Sequence, residues 1–440
     1  MQTKPKNKKP AGEASTTFQS VKGMHDVLPA ESCVQEKIYR LAREILEFYN
    51  FNSIATPLVE YLGLYNRTTG EATDIVEKQM FTLKTKGGET LALRPEFTPG
   101  IGRAYIQHGM SHYPHPVKLF TIGPLFRYEQ PQAGRFRQFN QIDAEIFSTE
   151  NDAIYDAQGI LACYRILDEL KIKNLIININ TIGCITCRPN YRKALVSYYK
   201  NKEKQLCTDC KRRLPVNPLR LLDCKEPICQ PLKEQAPNTL DYVCATCKKH
   251  FKEVLEYLDN LALPYALNPY LVRGLDYYSK TVFEINTQPA EGEEKIDFAL
   301  GGGGRYDYLI EELGGRPTSA FGWALGVERI IDVLHTRNIL PSSRPKEKVF
   351  LIHIGDLAKR KSLCLIETLR HAHINVIESL GKESLAAQLR AADKADAPLA
   401  LIFGQKEAYE ESIIIRDMKT GAQEMVPLTK LPEMIKRKLN

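Results

Sequence analysis

Alternate side chains of a β-strand point to opposite faces, and from Arg135 to Phe147 that alternation sorts the chain into two unlike sides. One side carries Arg135, Arg137, Phe139, Gln141, Asp143 and Glu145, and the other carries Ile142, Ala144 and Ile146. The apolar-rich stretch before it, Val117 to Tyr128, meets Pro131 and Gly134, which favour a turn, so the whole segment reads as a hairpin. The apolar side is a core face. The other is either the solvated face of an antiparallel sheet or a platform for a ligand. Cations, an aromatic ring, an amide and two carboxylates are costly to bury together unless something pairs with them.

A sheet of this kind needs cover on its apolar side, and 440 residues allow two or three domains with full cores. The formal net charge of +7 leans toward a polyanionic partner such as RNA or a nucleotide phosphate. No window reaches the roughly 18 apolar residues that a membrane helix needs. The Lys-rich start, Met1 to Ser20, lacks the apolar stretch of a signal peptide, which implies a cytoplasmic chain. Without an export signal, the 11 cysteines read as reduced thiols or metal-bound thiolates.

Residues 1–17 read as a Lys-rich disordered tail. Val34, Ile38, Leu41, Ile45, Leu46 and Tyr49 recur at helical spacing, with Ser32 as a candidate N-cap and Asn50 as the stop. Thr56-Pro57-Leu58-Val59 follows, a proline-bearing edge strand suited to a subunit interface. A hairpin of Met80 to Leu83 and Thr90 to Leu93, turned by Gly87-Gly88, delivers Glu96 and Thr98. These two point a carboxylate and a hydroxyl the same way, or else Thr98 caps the helix through Ile106. Asp152 to Leu170 reads as a helix and Asn174 to Asn180 as a strand.

Residues 183–251 differ from the rest and read as a mostly helical insertion. Eight cysteines crowd into it as Cys184-x2-Cys187, Cys207-x2-Cys210, Cys224-x4-Cys229 and Cys244-x2-Cys247. Two thiolates at CxxC spacing take adjacent corners of a zinc tetrahedron, so the segment is a candidate for structural zinc. Two sites of four thiolates and one site with spare thiols both fit the spacing. Leu271 to Tyr278 then sets Arg273, Tyr277 and Tyr278 around Gly274. Gly301 to Gly304 runs into Arg305-Tyr306-Asp307 before a helix, and Gly322 to Arg329 reads as a strand entering a helix. A glycine run is a weak phosphate signal, and this one matches neither the P-loop nor the dinucleotide fingerprint. After a linker at 337–348, residues 349–440 alternate strand and helix patterns, a compact α/β domain whose lysines make it a candidate RNA-binding module.

Taken in this order, the chain resembles the class II aminoacyl-tRNA synthetases and, among them, the histidyl-tRNA synthetases, over about residues 18–440. Thr56-Pro57-Leu58 looks like the family's motif 1, Phe126 to Glu145 like motif 2 and Gly322 to Arg329 like motif 3. Leu271 to Tyr278 and Gly303-Gly304-Arg305-Tyr306-Asp307 look like its two histidine-specific signatures. The resemblance implies an α+β catalytic core (18–182 and 252–336) built on an antiparallel sheet with flanking helices. The insertion at 183–251 and a C-terminal α/β anticodon-binding domain at 349–440 complete the chain. It also implies ATP and L-histidine as substrates, Mg2+, tRNA(His) and a homodimer.

By the same resemblance, Phe139 stacks under adenine, Arg329 covers it and Glu129 reads it, while Arg127 holds the α-phosphate and Arg135 the outer phosphates. Glu96, Thr98 and Gln141 orient the substrate amino group. Glu145 and Tyr278, with Tyr277 and Tyr306, wall the imidazole, and Arg273 matches the catalytic arginine beside the α-phosphate and carboxylate. The chain departs from the family pattern in three places: Gln130 stands where arginine is frequent, Asn50-Phe51 replaces a glycine-aromatic pair, and the cysteine-rich insertion is not a general feature. Three rivals stand beside it: a non-catalytic regulatory paralogue, which lacks the C-terminal domain and loses signature residues, a synthetase for another amino acid, and a pure RNA-binding or zinc module, which leaves the three nucleotide-facing arginines without purpose.

Overall fold

The computed structural model describes residues 18–69, 79–130, 134–289, 296, 298–339 and 348–439. The N-terminal tail, the segment around Asp74, the Pro131-Gln132 turn and most of the linker lie outside these residues. The chain divides at residue 341 into two compact units.

In chain order the first unit opens with α1 (Pro29–Phe48), β1 (Asn52–Ser53), β2 (Val59–Tyr61), α2 (Leu62–Thr69), β3 (Thr82–Lys84) and β4 (Thr90–Leu93). It continues with α3 (Thr98–Gln107), β5 (Val117–Phe126), β6 (Gln138–Ser148), α4 (Ile154–Glu169) and β7 (Leu175–Thr181). The insertion contributes α5 (Arg188–Lys200), α6 (Thr208–Val216), α7 (Gln230–Glu234) and α8 (Ala245–Asn260), joined by short 3-10 turns. The chain then returns through β8 (Tyr265–Leu267), β9 (Ser279–Thr287), β10 (Gly301–Arg305), α9 (Leu309–Glu312), β11 (Ser319–Gly326) and α10 (Val327–Thr336).

Eight strands form one sheet in the order β1-β5-β6-β11-β10-β9-β7-β8. It is antiparallel from β5 to β7 and parallel only in its outermost pairs, β1 with β5 and β7 with β8. One face is covered by α1, α4, α8 and α10, whose Ile38, Leu46, Ile160, Ile166, Val254, Leu258, Ile330 and Leu334 pack with Ile142, Ala144 and Ile146 of β6. The apolar side of the hairpin is therefore the core face. β2, β4 and β3 make a separate small sheet, and the expected hairpin there turns through Gly88 at φ 89°.

Three expectations change. Helix α1 begins at Pro29 with Leu28 as its cap, because proline at the first turn needs no donor, so Ser32 lies inside the helix. Thr98 is likewise inside α3 and makes no cap hydrogen bond. Arg135 and Arg137 precede β6 rather than belonging to it. Arg137 fastens the hairpin instead, lying 3.9 Å over the Tyr128 ring and donating to Glu129 O at 3.2 Å. The glycine run, a weak phosphate signal, is the central strand β10, and the helix expected after it is α9. A Cβ at Gly303 would lie 2.6 Å from Trp323 Cα and one at Gly302 would lie 2.9 Å from Arg273 Nη1, so the bare backbone lets neighbours lie flat on the strand.

The insertion also differs from a body held by metal alone. Tyr191, Leu195, Tyr199, Leu214, Leu221 and Leu222 share one apolar cluster with Phe97, Ile101, Leu271, Val272 and Tyr277 of the core. Helix α8 runs straight through the expected boundary at 251 and buries Phe251, Val254 and Leu258 under the sheet.

An ion network locks β10 to α4 and α8. Arg305 is 1% exposed and donates to Asp156 Oδ1 at 2.9 Å and to Asp307 Oδ1 at 3.1 Å, while His250 Nε2 meets Asp156 Oδ2 at 2.9 Å. Burial by itself would raise the Asp156 carboxyl, but Arg305 and His250 overcome that and hold it at about 2. Arg305 thus props Tyr306 rather than facing a ligand. Replacing it by alanine leaves the buried Asp156 with His250 as its one remaining partner in this network, and we expect a loss of about 3–5 kcal/mol in urea unfolding. A loss below about 1 kcal/mol contradicts this role.

The second unit runs β12 (Lys348–His353), α11 (Asp356–His371), β13 (Asn375–Glu378), α12 (Leu385–Lys394), β14 (Leu399–Phe403), α13 (Gln405–Tyr409), β15 (Ser412–Asp417), β16 (Gln423–Pro427) and α14 (Leu431–Leu439). Its sheet, β13-β12-β14-β15-β16, is parallel in the first three strands and antiparallel in the last two.

Candidate active site

The polar face of β6 opens into a cleft of about 480 Å3. Its lining includes Glu96, Thr98, Arg127, Glu129, Arg135, Phe139, Gln141, Asp143, Arg273, Tyr277, Tyr278 and Arg329. Residues spread over more than 230 positions of sequence thus converge on one concavity of ligand-binding size. Two expected site residues, Glu145 and Tyr306, do not line the cleft but lie just below its floor, 0% and 1% exposed.

At one end the cleft is rich in guanidinium groups. Arg127 lies 5.3 Å over the Phe139 ring and is tethered by its Nε–H to Pro95 O at 2.9 Å. Arg135 pairs with Glu129 at 3.5 Å. Arg329 donates to Ala299 O at 2.8 Å and lies 5.6 Å over Phe298, while its neighbour Glu328 is taken up by Asn140, whose N–H and Nδ2–H both reach it at 2.9 Å. Among the described residues Arg329 thus pairs with neither Glu328 nor Glu312, the carboxylates that would make an ordinary surface ion pair of it. Burial and the nearby Arg135 and Arg127 all push against its charge, so the site is arranged for an anion.

At the other end a compact polar box is built from three strands and a loop. Tyr277 O–H donates to Glu96 Oε2 at 2.8 Å, and Tyr306 O–H donates to Glu145 Oε2. The Tyr277 ring lies 4.7 Å from Tyr278 and 5.6 Å from Tyr306. Glu145 Oε1 and Asp143 Oδ1 are buried without a hydrogen-bond partner among the described residues, although Thr98 stands close enough to temper the Glu145 shift. Burial, above all, pushes the Glu145 carboxyl up to about 8 and Asp143 well above the carboxylate range. Burial also keeps the Tyr277 and Tyr306 hydroxyls protonated as donors. Gly322 faces Glu145 across the β6–β11 ladder, and any Cβ there would strike the carboxylate.

Between the two ends lies Arg273. It is paired with Glu284 of β9 and lies 5.9 Å from the Tyr278 ring centroid. Burial opposes its charge, but Glu284, Tyr278 and Tyr277 together outweigh that. Sequence reasoning missed Glu284, which gives no motif signal from its strand. It assigned no role to Asp143, although the alternation with Gln141 and Glu145 marked it. It also missed Arg220 of the insertion, which lines the cleft and donates to Arg273 O at 3.3 Å.

The eight insertion cysteines are free thiols in two quartets. Cys184, Cys187, Cys244 and Cys247 form one, Cys207, Cys210, Cys224 and Cys229 the other, and within each the sulfurs lie within 4.8 Å of one another. Among the described residues no helix is long and apolar enough to cross a membrane.

Comparison with known proteins agrees with this geometry. A family model described as histidyl-tRNA synthetase matches residues 23–330, and one described as an anticodon binding domain matches 348–438. The chain is 44% identical over 415 residues to the histidine--tRNA ligase of Aquifex aeolicus, covering 94% of this chain and all of the relative. It is 43% identical over 422 residues to that of Dehalococcoides mccartyi, covering 96% of this chain and all of the relative. The crystal structure of the apo histidyl-tRNA synthetase of S. aureus superposes with a TM-score of 0.79 at 32% identity, over 95% of this chain and 99% of that one.

Proposed function

This chain belongs to the histidyl-tRNA synthetase family, and we propose that its cleft divides into an ATP end and a histidine end with Arg273 between them. The reaction is the ATP-dependent ligation of L-histidine to tRNA(His) through a histidyl-adenylate, with release of AMP and diphosphate. One observation supports this division best: a box of three buried carboxyls and three tyrosines lies beside a face of three arginines and an aromatic ring.

At the ATP end, Phe139 and Arg329 offer the two faces of a slot for adenine, with Glu129 reading its edge. Arg127 meets the α-phosphate and Arg135 the outer phosphates. ATP enters as substrate with Mg2+ as its counter-ion. Glu284, in the same lining, would give such an ion an oxygen donor, and the ion would supply charge neutralisation on the phosphates.

At the histidine end, Glu96, Thr98 and Gln141 orient the amino group. Glu145 and Tyr278 satisfy the two ring nitrogens, with Tyr277 and Tyr306 closing the walls. A neutral imidazole brings one donor and one acceptor, so an amino acid lacking them leaves buried groups unpaired and is rejected. Arg273 draws the substrate carboxylate and the α-phosphate together. The carboxylate oxygen attacks phosphorus, the bond to the bridging oxygen breaks and diphosphate leaves. The terminal ribose hydroxyl of the tRNA then attacks the carbonyl carbon and AMP leaves. Neither step needs a protein nucleophile, since positioning and electrostatics lower both barriers.

The C-terminal unit holds the anticodon end on this reading, and a cytoplasmic homodimer completes it. Exposed Phe48, Leu58 and Tyr61 beside the Thr56-Pro57-Leu58 stretch support the dimer. The regulatory paralogue does not fit a chain with a full match to the anticodon domain. ATP–pyrophosphate exchange with each amino acid in turn is the test. We expect exchange with histidine at least about a thousandfold above any other amino acid. Exchange driven equally by another amino acid contradicts the reading.

A further inference from the structure

The two cysteine quartets have the dimensions of metal sites. Sulfur separations are 3.5 Å for Cys184 to Cys187, 3.8 Å for Cys187 to Cys247 and 3.9 Å for Cys207 to Cys224. A tetrahedral ion with metal–sulfur bonds of about 2.3 Å sets its ligands about 3.8 Å apart. A disulfide needs about 2.0 Å, so the same quartets are poorly placed for one. Backbone N–H groups also point at the sulfurs, from Cys244 to Cys187 Sγ at 3.0 Å, from Cys207 to Cys229 Sγ at 3.4 Å and from Cys210 to Cys207 Sγ at 3.4 Å. Such donors favour thiolate over thiol. Four soft thiolates in a closed quartet select zinc over magnesium or calcium.

The quartets sit in different places. The first joins the start of the insertion, directly after β7, to the first turn of α8, so it ties the two ends of a long excursion together. The second adjoins the cleft, where Cys207 and Cys224 form part of the lining. Its two ligand pairs bracket a segment running from α6 through the 3-10 turn Pro218–Leu221. That segment carries Asn217, whose Nδ2–H donates to Asp276 Oδ1 at 2.7 Å, and Arg220, whose Nη1–H donates to Arg273 O at 3.3 Å. Both partners lie in the Leu271 to Tyr278 loop. Gly274 lets the contact form, since a Cβ there would lie 3.3 Å from Arg220 Nη1.

We propose that the chain binds two zinc ions, each by four thiolates. The first staples the insertion, and the second, in the wall of the cleft, holds Asn217 and Arg220 against the loop that carries Arg273. Asn217 and Arg220 are positioning residues in this arrangement. The positioning half rests on the role given to Arg273 above, while the metal half stands on the quartets alone.

The test uses the full-length chain, purified without chelator and dialysed, with metal counted by mass spectrometry. Two zinc per chain are expected, one in Cys247→Ser and one in Cys224→Ser. Cobalt substitution should give tetrahedral thiolate spectra that halve in either variant. Zinc-free wild-type protein, or quartets recovered as disulfides, overturns the metal assignment whatever the enzyme does. For positioning, we expect Cys224→Ser to lower kcat for adenylate formation about 10- to 100-fold. Cys247→Ser should lower the melting temperature yet stay within about threefold of wild type in kcat below it. If Cys224→Ser does not fold, Arg220→Met serves: both zinc ions stay, kcat falls at least tenfold and the KM for ATP changes less than threefold. Equal kcat losses at the two quartets, or an unchanged kcat in Arg220→Met, overturn the positioning half. Absence of histidine-dependent exchange in the wild type instead removes the functional reading and leaves the metal count standing.

Discussion

Arg273→Ala is expected to lower the rate of histidyl-adenylate formation by at least about 10^3-fold with the fold intact. The guanidinium lies where substrate carboxylate and α-phosphate must meet, two groups that repel each other until a cation stands between them. Glu284 fixes its orientation from β9, and the Tyr278 ring lies beside it. Loss of the side chain leaves Glu284 without its partner, but that carboxylate is 30% exposed and water replaces the pair at little cost. Arg273→Lys keeps the charge and loses the planar fork, so it should recover only part of the rate. Pre-steady-state adenylate formation measures both, with circular dichroism as the control for folding. A loss below about tenfold in the alanine variant contradicts a role at the reacting atoms.

Glu145→Gln carries the second large effect, and it acts in two directions. Histidine activation should fall by about 10^3-fold in kcat/KM, because glutamine has one oxygen where the carboxyl has two, one taken by the Tyr306 hydroxyl and the other open to the ring. Stability should move the other way at alkaline pH. Burial raises the Glu145 carboxyl from its ordinary 4.5 to about 8 in the folded chain. The folded state thus holds a proton that the unfolded state releases, so this group's contribution is complete below 4.5 and is lost as pH rises to about 8. Glutamine does not titrate. Urea unfolding of the empty enzyme should show the variant gaining a few kcal/mol over wild type between pH 4.5 and pH 8.5, with Asp143 sharing in the same effect. Parallel stability profiles for the two proteins contradict the buried, protonated carboxyl.

Much of this was legible where local pattern and tertiary role coincide. The hairpin of β5 and β6 follows from alternation alone, and its apolar side did become the core face. In the C-terminal unit the sequence patterns over Asn375 to Glu378, Ser412 to Asp417 and Leu431 to Leu439 coincide with β13, β15 and α14. Strand β16 has no such pattern in sequence, because Gln423, Glu424 and Met425 are exposed and carry no apolar period. The glycine run gave no strand signal because glycine has low strand propensity, whereas here the absence of side chains is what brings Trp323 and Arg273 onto the strand.

The site was legible as a set of residues but not as layers. Nothing in sequence separates Tyr278, which lines the cleft, from Tyr306 and Glu145, which lie beneath it. The cysteine spacings named the pairs without saying which pairs meet. Cys184-x2-Cys187 joins Cys244-x2-Cys247 only because β7 and α8 bring the ends of the insertion together. Arg220 gave no sign of the site: beside its local pair with Asp223 at 3.5 Å, its bond to the distant loop goes to a backbone carbonyl.

A crystal structure of the enzyme with a non-hydrolysable histidyl-adenylate analogue tests the division of the cleft most directly. We predict adenine between Phe139 and Arg329, the acyl-phosphate mimic against Arg127 and Arg273, and the imidazole hydrogen-bonded to Glu145 and Tyr278. An analogue bound with its imidazole away from Glu145, or its adenine away from Phe139, contradicts the account.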